Sequence, residues 1–114
     1  MKKKTDKLFV YGQLQPGSKW EPKVLAKPKK TTINAKLYDL GKDAAVKKVG
    51  KTKSKATGYV LKVSDQTVRR LDEMEKPQFR RINTIDANGD HVDTYAYGRS
   101  VKGKKQVKSW NKNA

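Results

Sequence analysis

The sequence contains no cysteine and only one histidine, His91. The absence of cysteine excludes disulfides, thiolate metal sites and a cysteine nucleophile. With a single histidine, a multi-histidine metal site and most Ser–His–Asp chemistry lose their usual ligands or base. We therefore expect any acid–base chemistry to come from a carboxylate, a tyrosine or a lysine.

Long apolar runs are also missing, since no stretch approaches the ~20 residues that a membrane-spanning helix needs. The N-terminal "MKKKTDKLFVYGQL" starts with positive charge but has no long apolar segment of the kind found in secretory signals. These absences predict a cytoplasmic protein. Apolar residues make up 34% of the chain, a low share. They cluster in periodic runs separated by turn signals, which favours a folded core over disorder.

Acidic residues are few: 11 aspartates and glutamates face 28 lysines and arginines, which gives a formal net charge of +17. A field of this size attracts nucleic acid or another polyanion. The lysines concentrate outside the predicted strands, and no recognisable nucleic-acid-binding motif accompanies them. Non-specific polyanion contact through lysine-rich loops and the tail is one hypothesis, and a surface adapted for solubility is the other.

The length of 114 residues predicts a single domain spanning 1–114. Within it we expect a core at about 7–100. A lysine-rich lead-in, 1–6, precedes the core, and a lysine-rich tail, 101–114, follows it. In the tail only two valines and one tryptophan can pack, so one docked aromatic is the most that is expected there.

The first half of the chain predicts three strands joined by long connections. Residues 8–11, "LFVY", form a continuous apolar run that predicts a buried strand. An irregular segment follows the loop after that strand. The other predictions are a strand at 33–40, a solvated lysine-rich loop at 42–56, and a strand at 57–63.

The second half predicts a helix and a hairpin. Ser64 is a plausible N-cap, and Pro77 is expected to end the helix. Strands are predicted at 79–85 and 91–97, with Asn88-Gly89 between them as a strong hairpin signal. The element order predicts an α+β fold with a small mixed, mostly antiparallel sheet or barrel and one or two flanking helices.

Glu75 is the most informative single position. Val68, Leu71 and Glu75 fall on one face of the predicted helix, so this carboxylate lies on the stripe that should face the core. Burial raises the pKa of a carboxyl group and suits it to general acid–base work near neutral pH. The alternative is a surface glutamate that pairs with a nearby lysine or arginine, or that points to solvent in a frayed last turn.

The loop "YGQLQPG", residues 11–17, is a second candidate feature. A buried strand that opens into a glycine-bearing loop exposes several backbone N–H groups, which can hold a carboxylate or an oxyanion. The alternative is that Gly12 and Gly17 only permit tight turns.

Four segments together resemble a known family. "LFVYGQLQPG" is similar to the opening strand and loop of the γ-glutamylcyclotransferase-like proteins, and "AKLYDLG" to a later strand. "TGYVLKVSDQTVRRLDEMEKPQFRR" resembles the family's strand–helix–strand segment, and "ANGDHVDTYAYG" its closing hairpin. The resemblance covers about residues 8–98, in the family's order. This family includes the γ-glutamylamine cyclotransferases and the plant avirulence-induced proteins.

The resemblance implies a small β-barrel with flanking helices, a cavity at the strand ends, and neither metal nor organic cofactor. It implies release of 5-oxoproline from a γ-glutamyl amine or amide, as the substrate's own α-amino nitrogen attacks its γ-carbonyl carbon. Glu75 stands at the family's catalytic glutamate. The substrate-binding positions that it implies are Tyr11, Gly12, Gln13, Leu14 and Tyr97.

The chain departs from the family pattern close to this site. Gln13 and Gln15 replace the threonine and arginine of the loop. Asp43 and Ala44 replace an aromatic residue and a proline, and Phe79 replaces the tyrosine that precedes the arginines. These changes keep Glu75 but predict an altered pocket around it.

Overall fold

The computed structural model describes residues 7–110, so the predicted lead-in, 1–6, and the end of the tail, 111–114, lie outside the described residues. The described residues form eight strands and one helix. In chain order these are β1 Lys7–Val10, β2 Lys29–Asn34, β3 Lys36–Asp39, β4 Ala44–Lys47, β5 Lys55–Lys62, α1 Asp65–Glu75, β6 Phe79–Ile85, β7 His91–Tyr97 and β8 Lys105–Val107. No helix within residues 7–110 is long and apolar enough to cross a membrane.

All eight strands belong to one sheet with the order β2-β5-β1-β7-β4-β3-β8, and β6 pairs with the other edge of β7. Five pairings are antiparallel, whereas β1 and β4 run parallel to β7. A bridge between Ile33 and Asp86 links β2 to the end of β6, so the sheet curls back on itself. The predicted α+β fold with a small, mostly antiparallel curled sheet is confirmed.

The core has two layers because both faces of the central strands are covered. In β1, Phe9 packs into one cluster with Trp110, and Leu8 and Val10 pack into the other. The second cluster includes Leu71 of α1, so the helix covers that face. Burial on both faces explains why β1 is a continuous apolar run instead of an alternating one.

The local signals of the second half predict the structure well. The Ser64 side chain accepts a hydrogen bond from the Thr67 N–H, as expected of an N-cap, and α1 ends at Glu75, before Pro77. The hairpin turns through Gly89 at φ 82°, which a glycine adopts without strain. It pairs β6 with β7 from Phe79↔Tyr97 to Ile85↔His91.

Three predictions for the remaining segments are wrong. The stretch 42–56 is not a continuous solvated loop, because Ala44, Ala45 and Val46 are fully buried in β4. The predicted strand 33–40 is divided between β2 and β3 by a bend at Ala35. The predicted tail carries β8, which pairs with β3, although the buried Trp110 agrees with the one docked aromatic that was expected there. For β4 and β8, pairing with other strands outweighs the local lysine content.

Candidate active site

The candidate site lies near the middle of β7, where the parallel strand that pairs with β7 changes from β1 to β4. β1 pairs with the first half of β7, at Phe9↔Thr94, and β4 pairs with the second half, at Val46↔Ala96. Because β1 ends where β4 begins, the chain leaves the sheet there and a small cavity opens. The cavity has a volume of about 20 Å³ and is lined by Val10, Tyr11, Gly12, Gln13, Leu14, Asp43, Ala44, Glu75, Phe79 and Tyr95.

Glu75 is the last residue of α1 and reaches this cavity from the helix end. Burial, and secondarily the negative charge of Asp43, raise the pKa of Glu75 to about 7. Within residues 7–110 no lysine or arginine pairs with it: Arg81 binds Asp72 and Asp93, and Lys76 lies near Glu73. The buried-carboxylate interpretation of the helix pattern therefore describes this residue better than the surface ion pair does.

The loop after β1 holds the Asp43 carboxylate. The Gln13 N–H donates a hydrogen bond to Asp43 Oδ1 at 3.0 Å, and the Ala44 N–H donates to the same oxygen at 2.8 Å. Gly12 permits this approach, since a Cβ at that position would collide with the Asp43 oxygen. Burial raises the pKa of Asp43, and the two N–H donors oppose that rise.

Gln13 and Gln15, which depart from the family pattern in this loop, both donate side-chain hydrogen bonds to main-chain carbonyl oxygens. The Gln15 side chain donates to the carbonyl oxygens of Tyr11 at 3.0 Å and Trp110 at 2.9 Å. The Gln13 side chain donates to the Lys42 carbonyl, next to Asp43. The loop is therefore anchored on two sides by residues that lie far away in the sequence.

Tyr11 directly follows β1 and lines the cavity. Its side chain is buried, and its hydroxyl donates to the Tyr95 carbonyl oxygen at 2.5 Å. Burial, together with the negative charges of Asp43 and Glu75, raises the pKa of Tyr11 well above its ordinary value. Tyr11 is therefore a neutral hydrogen-bond donor at physiological pH.

A charged network supports the wall opposite the loop. The Tyr95 hydroxyl donates to Asp72 Oδ1 at 2.8 Å, and the guanidinium of Arg81 bridges Asp72 at 2.9 Å and Asp93 at 2.6 Å. Although burial acts to raise the pKa of Asp72, its bonds from Arg81 and Tyr95 hold that pKa below its usual value. The network ties α1 to β6 and β7 beside Glu75.

The structure brings together Glu75 and four of the predicted substrate-binding residues, Tyr11, Gly12, Gln13 and Leu14. Tyr97 is not among the residues that line the cavity, but its ring packs on the lining residue Phe79 with 5.0 Å between centroids. A role for Tyr97 in binding stays a prediction.

Sequence reasoning missed Asp43 as a site residue, and its departure from the family pattern was the only signal for it. In the part of the chain from 7 to 110, no group of three or more histidine or carboxylate side chains is placed to hold a metal ion.

One family model and several solved structures are similar to this chain. A family model described as "Gamma-glutamyl cyclotransferase, AIG2-like" matches residues 8–112. Among solved structures, an AIG2-like protein from Mus musculus is 18% identical, with a TM-score of 0.70 over 98% of this chain and 92% of that one. The uncharacterized protein PH0828 of Pyrococcus horikoshii is 22% identical, with a TM-score of 0.68 over 91% and 86%. YtfP of Escherichia coli is 26% identical, with a TM-score of 0.64 over 90% and 92%. No curated protein matches the chain significantly.

Proposed function

Because the chain belongs to the gamma-glutamyl cyclotransferase, AIG2-like family, we propose that it cyclises a small γ-glutamyl-type amide and releases a five-membered lactam and an amine. The observation that carries this proposal is the half-buried Glu75, whose pKa is raised to about 7 inside the cavity. A carboxyl group in that state exchanges protons near neutral pH. The cytoplasmic location expected from the sequence stays a prediction.

The proposed reaction asks little more of the protein than positioning and proton transfer. The attacking amine and the amide carbonyl belong to the same molecule, so the site has to hold the substrate folded with its amine against its carbonyl carbon. Glu75 as the carboxylate takes a proton from the ammonium group, and as the acid it returns the proton to the departing amine. The loop around Gly12 and Gln13 lines the same cavity as Glu75, so its main-chain groups would lie close to a substrate held there.

Substrate binding requires the cavity to widen. Its volume of about 20 Å³ holds one water molecule, far below the ~300–1,000 Å³ of typical ligand pockets. The Asp43 carboxylate and the Gln13 side chain border it on the β3–β4 side and are only half-buried. We propose that the Gln13 side chain moves outward when the substrate enters, while the Asp43 carboxylate keeps its hydrogen bond from the Gln13 N–H.

The test is lactam release from a panel of γ-glutamyl amines and γ-glutamyl amino acids, with wild type, Glu75→Gln and Glu73→Gln compared. Glu73 lies on the same helix with its side chain 76% exposed, so its variant removes one charge outside the cavity. We expect release by wild type and Glu73→Gln, and a loss of at least 100-fold in Glu75→Gln. Equal rates in all three proteins, or no release from any substrate by folded wild type, would contradict the proposal.

Polyanion contact is a second candidate function, and the placement of the acidic residues favours it. Asp39, Asp43, Asp72, Asp86 and Asp93 accept hydrogen bonds from the protein's own groups. These bonds hold the carboxylates against the protein, while exposed lysines lie on β2 and β8, the strands at the two ends of the sheet order. With 28 lysines and arginines against 11 acidic residues, the positive charge of the protein is only weakly offset.

Salt-dependent titration with a labelled DNA oligonucleotide tests this second candidate. Lysine contacts to phosphate release counterions, so affinity should fall at least tenfold between about 50 and 200 mM salt. Glu75→Gln should leave this affinity unchanged, because the cavity plays no part in it. Binding that is absent at low salt would contradict the proposal.

A further inference from the structure

The Gln13 N–H belongs to the loop predicted to hold a ligand's carboxylate, and it already binds a carboxylate of the protein. Asp43 Oδ1 accepts hydrogen bonds from the N–H groups of Gln13 at 3.0 Å and Ala44 at 2.8 Å. Both the loop and Asp43 line the same cavity as Glu75. Asp43 therefore occupies the place where a substrate's own carboxylate would accept its hydrogen bond from the loop.

This arrangement also gives the cavity two carboxylates. The titratable groups that face Glu75 are Asp43 from the β3–β4 connection, Tyr11 from β1 and Tyr95 from β7. Burial raises the pKa of both tyrosines, so both stay neutral and neither adds to nor offsets the charge of the carboxylates. A substrate carboxylate entering here meets like charges and finds the Gln13 amide occupied, whereas an ammonium group is attracted by both carboxylates.

We propose that Asp43 is a specificity-determining residue, whose carboxylate replaces that of the substrate on the loop so that the site prefers amides of 4-amino acids without an α-carboxylate. Amides of 4-aminobutanoic acid are the simplest members of this class, since they equal γ-glutamyl amides that lack this one group. This inference rests on the proposed cyclisation and narrows its substrate class.

The reaction of such a substrate balances without a co-reactant. The amine nitrogen forms a bond to the carbonyl carbon, and the bond from that carbon to the leaving nitrogen breaks, which gives pyrrolidin-2-one and a free amine. The attacking ammonium nitrogen loses two protons in all. The leaving nitrogen gains two, each carried by Glu75 in turn, and departs as an ammonium ion.

The experiment measures kcat/KM for two matched substrates, a γ-glutamyl amide and the 4-aminobutanoyl amide of the same amine. Wild type, Asp43→Ala, Asp43→Asn and Glu73→Gln are compared. We expect wild type and Glu73→Gln to favour the 4-aminobutanoyl substrate at least tenfold. Asp43→Ala vacates the Gln13 amide and should shift this ratio at least tenfold toward the γ-glutamyl substrate. Asp43→Asn removes the charge but keeps an acceptor on the loop, so its ratio should fall between the two.

A binding measurement separates this inference from the proposed activity. Amide chemical shifts of Gln13 and Ala44 are followed by NMR while glutamine or 4-aminobutanamide is added. Glutamine should perturb the Gln13 amide in Asp43→Ala and leave it unchanged in wild type.

If no variant turns over either substrate but this pattern of shifts appears, the proposed activity is wrong and the role of Asp43 stands. If wild type cyclises the γ-glutamyl amide preferentially and Asp43→Ala gains nothing, Asp43 is not the specificity determinant. If Asp43→Ala does not fold, the kcat/KM ratio and the Gln13 amide shift of Asp43→Asn test the role of Asp43 instead.

Discussion

The Tyr95 hydroxyl donates a 2.8 Å hydrogen bond to Asp72 Oδ1 and thereby joins the wall of the cavity to the helix that carries Glu75. Asp72 lies three residues before Glu75, almost one turn away on the same helix. The bond therefore holds the last turn of α1 against β7. Because Arg81 binds Asp72 as well, the position of Glu75 depends on a network and not on a single contact.

Tyr95→Phe should destabilise the protein and loosen the site. The change removes one hydrogen bond to a carboxylate and leaves the bond from Arg81, so we expect the free energy of unfolding to fall by about 1–2 kcal/mol. Tyr97→Phe, on the same strand, is the matched control, since the main contact of Tyr97 is ring packing on Phe79. Urea denaturation measures both. A larger loss for Tyr97→Phe than for Tyr95→Phe would contradict this account.

The pH dependence of turnover should report the ionisation of Glu75. As a base it works in the charged form, so kcat/KM should rise with pH and level off above about 7. Removing the charge of Asp43 favours the charged form of Glu75. The rise should therefore move to lower pH in Asp43→Asn, measured on the 4-aminobutanoyl substrate. A profile that keeps its midpoint would show that the Asp43 charge does not act on Glu75.

Glu75→Gln should stabilise the fold at neutral pH. The pKa of Glu75 is about 7 in the folded protein, whereas the ordinary value of 4.5 applies in the unfolded chain. The unfolded chain therefore ionises first as pH rises. The wild type therefore loses stability between about pH 4.5 and 7, and the loss stays constant above that window. Allowing for solvent screening, Glu75→Gln should gain on the order of 1 kcal/mol at pH 8 and nothing at pH 4.

Thermal unfolding at the two pH values measures this difference, which corresponds to a few degrees in Tm. Glu73→Gln is the control for removing a charge from the same helix. A gain at pH 4 equal to that at pH 8 would exclude ionisation of Glu75 as its cause.

Gly58→Ala should disrupt the curl of the sheet. A Cβ at Gly58 would collide with the Val10 carbonyl and lie 2.8 Å from Phe9 Cζ, so β1 and β5 would have to separate. We expect a loss of about 2–3 kcal/mol, typical of overpacking. Gly98→Ala is the control, since its Cβ would be 3.5 Å from the nearest atom, the Gln78 oxygen, and should cost under about 1 kcal/mol. Similar losses in the two variants would contradict the close approach at Gly58.

The two tryptophans should differ sharply in their contribution to stability. Trp110 is 5% exposed, packs in the core, and donates from Nε1 to Asp39 at 2.9 Å, whereas Trp20 is 51% exposed. Trp110→Ala should cost about 3–5 kcal/mol, and Trp20→Ala under about 1 kcal/mol. Denaturant unfolding followed by circular dichroism tests both. A stable Trp110→Ala variant would mean that the segment after β7 is a dispensable tail.

Glu75 shows how far local pattern could predict the site. The apolar positions Val68 and Leu71 mark the buried face of α1, and that face alone placed a carboxylate next to the core. Tyr11 and Gly12 were predictable in the same way, because a buried strand that opens into a glycine loop is a local signal. Each of these predictions depends only on residues that lie close together in the sequence.

Asp43 shows where such reasoning ends. Its partner, the Gln13 amide, lies 30 residues away, and they meet only because β4 lies beside β7 where β1 has ended. The lysines around 42–56 predict a loop, while Ala44, Ala45 and Val46 are buried because packed segments cover both faces of β4. Nothing in the sequence between 42 and 56 specifies those distant contacts.

The sequence by itself determined the capped helix, the Asn88-Gly89 hairpin, the first strand with its loop, and the inward face of Glu75. These follow from capping, turn geometry and periodicity, which act over a few residues. The tertiary structure alone decided the parallel pairing around β7, the pairing of β8 with β3, and the meeting of Asp43 with the loop. Those depend on which distant strands share an edge, and that is decided by the packing of the whole core.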